Sequence, residues 1–204
     1  IRMISPDGSV STFAGSGEAG FADAEEGGAA QFYFPYGIAV DGKGNVILLR
    51  HMVGSASTKK REEGFLKGLK EHGPDIVLIS SDKYAGATVE ESQEVANNLL
   101  NQFADSVDGI FTPNESTTEG MMAAMKGAGI AGKVKFVGFD VNDALLAGVE
   151  ENVIHALALQ DPFNMGYLAV KHSVAHLKGE KVKRIVDTGS VILTSDNLGE
   201  SRIQ

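Results

Sequence analysis

Five short apolar runs recur from Val46 onward, at residues 46–49, 76–80, 109–112, 134–139 and 154–159, each followed by a stretch of helical periodicity. Val95, Leu99 and Phe103 fall four apart in the second such stretch, and Met121, Met122 and Met125 make one face in the third. Strand and helix alternating five times is the pattern of a mostly parallel sheet covered by helices. The expected fold class is therefore α/β, a Rossmann-like sheet. A further helix at 164–177 and two extended pieces at 184–187 and 191–193 complete the chain.

The first 44 residues have another texture. They are rich in glycine and turns, with hairpin signals at Asp7-Gly8 and Asp41-Gly42 and short strand character at 10–13 and 37–40. This predicts β-structure without a helix. The two textures meet inside "DGKGN", residues 41–45, with no long linker between them, so the expected organisation is a β segment, 1–44, followed by an α/β domain, 45–204.

Charge removes several functions. The net charge is −9, and the 18 basic residues form no run beyond Lys59, Lys60 and Arg61, so no clustered surface for nucleic-acid phosphates is expected. An anionic membrane surface is an equally poor partner. Without cysteine there is no disulfide, thiolate nucleophile or cysteine-ligated metal site. No apolar run approaches the ~20 residues of a membrane-spanning helix. The chain begins at Ile1 without an initiator Met or a signal peptide, as a mature start or a fragment would.

Two motifs read as structural. "GSGEAG", 15–20, has the glycine spacing of a dinucleotide loop, but "FADAEEGGAA" follows it and puts carboxylates where a pyrophosphate needs positive potential. His172 and His176 sit four apart on a predicted helix, with Ser173 where a metalloprotease has Glu and no third ligand close in sequence. No cofactor and no metal is expected. Nothing reads as a nucleophile either: there is no G-x-S-x-G elbow and no serine with an evident histidine base, and the one carboxylate pair, Asp140 and Asp143, suits a loop. The chain is expected not to be an enzyme.

The informative residues stand where the predicted strands end, because ligands of open α/β sheets lie outside the carboxyl ends of the strands. Those ends read "GSASTKKREEGF", "SSDKYAG", "TPNES", "GFDVND" and "LQDPFN". Planar polar side chains therefore converge on one rim: Arg61, Asn114, Asp140 and Gln160, with Tyr84 as a stacking surface. Such a set suits a neutral polyol, whose vicinal hydroxyls pair with bidentate groups while an aromatic face covers the apolar side of a sugar ring. The competing reading makes Arg61 and Asp140 a solvated ion pair and Asn114 a helix N-cap.

At "LLRHMVGSASTKKREEGF", "GIFTPNESTTEGMMAAMKGAGIAGKVKFVGFD" and "ALALQDPFNMGYLAVKHSVAHLKGEKV" the sequence resembles the type I periplasmic sugar-binding proteins of ABC importers, the ribose-binding group, from about residue 44 onward. In that family a sugar is clamped between two Rossmann-like lobes joined by three crossings. The resemblance implies a monosaccharide or related polyol as ligand, an ABC permease as partner and a periplasmic or extracytoplasmic location. It also implies ligand-binding roles for Arg61 in "REEGF", Asn114 in "PNE", Asp140 in "GFD" and Gln160 in "LQDP". Tyr84 lies near the family's aromatic position.

The resemblance covers the C-terminal lobe alone. In place of the N-terminal lobe stand residues resembling one unit of an NHL-repeat β-propeller, in "IRMISPDGSVSTFAGSG" and "AAQFYFPYGIAVDGKGN". One blade cannot bury its own faces. A fusion or fragment is the implied origin, and its sugar site is expected to be weak. If a complete site binds at about −8 kcal/mol, one without half its contacts and all its enclosure keeps about −4 kcal/mol.

In the family, helix 164–177 packs on the other lobe, so Met165, Leu168 and His172 are expected to lack partners and to favour self-association. The alternative function is the effector-binding domain of a lactose-repressor-type regulator, which shares the fold. It would require a basic helix-turn-helix that residues 1–45 do not offer.

Overall fold

The computed structural model describes residues 2–4, 10–12 and 44–199. The chain divides into two compact units, Ile1–Ile38 and Ala39–Gln204. In the first, β1 (Arg2–Ile4) pairs antiparallel with β2 (Val10–Thr12) in the register Arg2↔Thr12, Met3↔Ser11 and Ile4↔Val10. The glycine motif at 15–20, the strand expected at 37–40 and most of the NHL-like pattern lie outside the described residues.

The second unit is a six-stranded sheet with helices between its strands. In chain order it contains β3 (Asn45–Leu48), α1 (Ala56–His72), β4 (Val77–Ser80), α2 (Val89–Phe103), β5 (Gly109–Phe111), α3 (Glu115–Gly127), β6 (Lys135–Phe139), α4 (Asp143–Glu150), β7 (Ala156–Gln160), α5 (Pro162–Leu177) and β8 (Ser190–Leu193). The spatial order is β4-β3-β5-β6-β7-β8. β3 to β7 run parallel, and β8 closes the edge antiparallel to β7. The expected Rossmann-like, mostly parallel α/β sheet is what forms. The segment expected to be extended at 184–187 forms no strand, and the final strand starts at Ser190.

Period-2 alternation explains how the strands bury both faces. Ile47, Leu49, Ile110, Phe136, Leu157 and Leu159 join a core with Leu99, Leu100, Met121, Met125, Leu145 and Val149 of α2, α3 and α4. The methionines read from the sequence as one helical face are thus interior. Val46, Leu48 and Phe111 are buried but outside that cluster. They face the other way, where Phe65 of α1 stacks on Phe111 at 4.5 Å between ring centroids and 3° between planes.

Helix starts follow local chemistry. Thr88 and Glu91 form a reciprocal capping box on α2, and Asn142 and Asp161 accept from Leu145 N and Asn164 N to cap α4 and α5. α2 and α3 approach closely because Gly120 has no side chain: a Cβ there would stand 2.6 Å from the Ser92 side chain and 2.7 Å from Gln93 N.

α5 differs from the other helices in having no buried residue. Phe163, Tyr167, Val170, Val174 and Leu177 make an exposed apolar stripe. This changes the expectation for the helix: Met165 is exposed, but Leu168 and His172 lie on its half-covered side.

Candidate functional site

Strand order decides where a ligand can sit. β3 leads through α1 to β4 on one side, and the chain then returns past β3 to β5, so the order reverses between β3 and β5. At such a reversal the two loops leave toward opposite faces and open a crevice at the carboxyl ends of the strands. Arg61, on the second turn of α1, reaches across that crevice.

Arg61 Nη1 donates to the Pro113 carbonyl at 2.8 Å and to Asp140 Oδ2 at 3.4 Å. Its Cζ stands 3.8 Å from the centroid of the Phe139 ring, a distance at which the π-face attracts the cation and holds the guanidinium plane in place. Gln160 Nε2 donates to Asp140 Oδ1 at 3.1 Å. Three side chains from α1, the end of β6 and the end of β7 thus form one hydrogen-bonded cluster centred on a carboxylate. The Arg61 and Asp140 side chains are 15% and 28% exposed, so the ion pair of the competing reading forms and is partly desolvated.

Asp140 adopts φ 63°, in the left-handed region that few residues other than glycine enter. Backbone strain of this kind gathers at ligand clamps, where the surroundings over-determine the conformation. Here the surroundings are the Asp140 N to Ala158 O bond at 2.9 Å and the two side-chain partners of the carboxylate.

Asn114 begins α3 in extended conformation, so the helix N-cap reading describes its position. Its side chain makes no cap bond to backbone. Instead Nδ2 donates to Ser116 Oγ at 2.9 Å, and Oδ1 accepts from Thr117 Oγ1 at 2.7 Å. It is one residue from the carbonyl that Arg61 holds.

Beneath it, the buried Thr118 hydroxyl lies 2.8 Å from Thr112 Oγ1, donates to Asn114 O at 2.7 Å and accepts from Phe139 N at 3.2 Å. One hydroxyl therefore locks the ends of β5 and β6 to the start of α3. Gly138 is required beside it, because a Cβ there would overlap the Thr118 methyl.

Tyr84 shares the rim but belongs to a second group. The residue is 44% exposed, and Arg50 Cζ stands over its ring, 5.8 Å from the centroid. Arg50 Nη1 pairs with the buried Glu62 at 2.9 Å, and its Nε donates to Ser81 O at 2.6 Å.

His51 follows in the same loop. Burial lowers its pKa, the nearby Glu62 opposes this and Arg61 reinforces it. Its Nδ1 is the one buried side-chain nitrogen or oxygen without a partner among the described residues.

Sequence reasoning missed Phe139, Thr118 and the Arg50–Glu62 pair. Phe139 carried a signal as the aromatic residue directly before the strand-end Asp140. The pairing of Arg50 with Glu62, twelve residues apart, exists only once α1 docks on the sheet.

The family described as "Periplasmic binding protein domain" matches residues 23–181. The chain belongs to this family. Among its relatives, this periplasmic binding protein domain is 27% identical over 157 residues to a xylitol-binding protein of Mycolicibacterium smegmatis, covering 77% of this chain and 44% of that protein.

Many solved structures share its fold, and two serve as examples. One is the periplasmic component of an ABC-type sugar transport system from Hahella chejuensis, at 36% identity and a TM-score of 0.71, covering 77% of this chain and 56% of that one. The other is a carbohydrate transporter solute binding protein from Agrobacterium radiobacter in complex with D-arabinose, at 31% identity and a TM-score of 0.74, covering 79% and 54%. The chain spans about half the length of the relatives it matches. The match begins at residue 23, ahead of the boundary at 44–45 expected from the sequence. Among the described residues, no helix is long and apolar enough to cross a membrane.

Proposed function

We propose that the rim formed by Arg61, Asn114, Asp140 and Gln160, with Tyr84 beside it, binds a monosaccharide or related polyol. In this reading residues 45–204 are the C-terminal lobe of an extracytoplasmic sugar-binding protein of the ribose group that delivers its ligand to an ABC permease, without chemistry of its own. The observation that carries the reading is the Asp140 carboxylate, held at positive φ between Arg61 and Gln160 with the guanidinium over Phe139. A carboxylate and a guanidinium side by side cancel in charge and present acceptors and donors at the spacing of vicinal hydroxyls, which selects a neutral polyhydroxylated ligand over an ion. Relatives named for xylitol, for D-ribose and D-allose, and for bound D-arabinose support the ligand class.

The N-terminal segment as an NHL-type repeat unit is part of the same proposal and rests on its sequence pattern alone. So is self-association of the chain through α5, supported by its apolar stripe. Calorimetric titration with D-ribose, D-allose, D-arabinose and xylitol, beside an Asp140→Ala control, tests the binding function. Saturable heat that disappears in the control is the expected result. Equal heats from both proteins would remove Asp140, and the rim with it, from the site.

A further inference from the structure

The second group on the rim has an architecture that the hydroxyl-binding cluster does not use. Parallel pairing of β3 with β4 continues past both strands as an isolated bridge, Arg50↔Tyr84. Arg50 N donates to Lys83 O at 3.0 Å, Ala85 N to Arg50 O at 2.8 Å and Gly86 N to His51 O at 3.0 Å. The backbone thus fixes Arg50 and Tyr84 side by side on the rim.

The side chains add a second constraint. Arg50 is held by the Ser81 carbonyl and by Glu62, which is 3% exposed, and Glu62 Oε1 also accepts from His51 N at 3.4 Å. A buried carboxylate paired with a partly buried guanidinium is weak support for stability, because desolvation of both charges offsets their attraction. What the pair does supply is direction. It sets the guanidinium against Tyr84 and leaves nearly half of the tyrosine exposed. Arg61 and Glu62 are consecutive on α1, so one helical turn anchors both the hydroxyl-binding cluster and the arginine beside the aromatic ring.

We infer that Arg50, clamped by Glu62 and Ser81 O, is a positioning residue that holds the Tyr84 ring as a platform for the apolar face of a cyclic sugar, so that the rim distinguishes a ring sugar from an acyclic polyol. The inference rests on the sugar-binding reading above. An aromatic platform gains contact only from a ligand with a flat patch of C–H groups. A pyranose has one and an open-chain polyol does not.

The test uses the 204-residue chain, with NMR-monitored titration of D-arabinose and xylitol to tens of millimolar. The variants are Arg50→Lys, the charge-balanced pair Arg50→Met with Glu62→Met, Tyr84→Ala, and Tyr84→Ala combined with Arg50→Lys. The double Met variant leaves no buried charge unpaired, which protects it from the misfolding that Arg50→Met alone invites.

Expected are displaced Tyr84 ring resonances in the free Arg50→Lys protein and a roughly three- to tenfold weaker affinity for D-arabinose in the arginine variants and in Tyr84→Ala. Xylitol affinity falls by clearly less than D-arabinose affinity, and Arg50→Lys adds nothing once Tyr84 is absent. Equal losses for both ligands, a further loss in the Tyr84→Ala background, or unmoved Tyr84 resonances would overturn the inference. Binding that persists in Asp140→Ala, or no binding by the folded parent chain, refutes the underlying site and the inference with it. A sensitive Asp140 with an unchanged ligand ratio refutes the inference alone.

Discussion

The guanidinium carbon of Arg61 stands 3.8 Å from the centroid of the Phe139 ring, and the residue after that phenylalanine supplies the carboxylate Arg61 faces. One dipeptide at the end of β6 thus gives the arginine both its platform and its counter-charge. Replacing Asp140 by Asn keeps the size of the side chain and a residue that tolerates positive φ, but removes the charge. Ligand affinity in Asp140→Asn is expected to fall roughly tenfold to a hundredfold, the range for a hydrogen bond to a charged group, with little change in unfolding midpoint. Arg61→Lys should lose affinity to a similar degree, since an ammonium cannot present a planar fork while stacking on Phe139. Titration of both variants beside urea melts separates binding from folding.

Thr118 and Gly138 are complementary. The Thr118 hydroxyl makes bonds to Thr112, Asn114 and Phe139, and its methyl occupies the space where a side chain at 138 would be. Thr118→Val leaves buried polar groups unpaired and is expected to destabilise the chain by about 1–3 kcal/mol. Gly138→Ala overpacks the same contact and is expected to lose about 1–3 kcal/mol. Thr118→Ser keeps the hydroxyl and removes the methyl, so it should recover part of the Gly138→Ala loss. Denaturant midpoints of the single and double variants decide this, and strict additivity would show that Leu157, the other close neighbour of Gly138, accounts for the effect.

The α5 stripe leads to a prediction about assembly. Phe163, Tyr167, Val170, Val174 and Leu177 expose their side chains on a helix with no buried residue, and a second copy of the chain can cover them. Sedimentation velocity is expected to show concentration-dependent association. Val170→Glu should shift it toward monomer while changing stability by no more than about 0.5 kcal/mol, because the site is exposed. A concentration-independent monomer would rule this association out.

Much of this architecture can be read before folding is considered. Runs such as Gly109–Phe111 are apolar on both faces because a parallel strand between helices must be, and that signal is local. The strand-end polar residues follow from topology in the same way. Arg61, Asp140 and Gln160 meet, although 79 and 20 residues separate the bonded pairs.

What stayed hidden depends on tertiary register. Phe139 looks like any core aromatic until α1 lays Arg61 over it. Thr118 looks like a helix residue of indifferent propensity until β5 and β6 end beside it. Arg50 and Glu62 carry opposite charges in a sequence with many of each, and only docking of α1 selects that pair. Ser190 starts the last strand because β7 offers it an edge, for which residues 184–187 have no equivalent.

His155 gives a pH dependence whose sign is fixed by its environment. Its Nδ1 accepts from Phe136 N at 3.2 Å, and burial first, then the neighbouring Lys135, lowers its pKa below 6.5. The unfolded chain takes up the proton near the unperturbed value, whereas the folded chain resists it until lower pH. Stability therefore falls as pH drops below about 6.5 and levels off beneath the folded value. His51, lowered chiefly by burial, adds to the loss in the same direction. In His155→Asn the amide oxygen can take the place of Nδ1 as acceptor for Phe136 N, and nothing titrates. Urea unfolding at about pH 7.5 and about pH 5.5 is expected to show a smaller loss of stability in His155→Asn than in the parent chain. Equal losses in the two proteins would mean that the proton enters elsewhere, through His51 or the carboxylates.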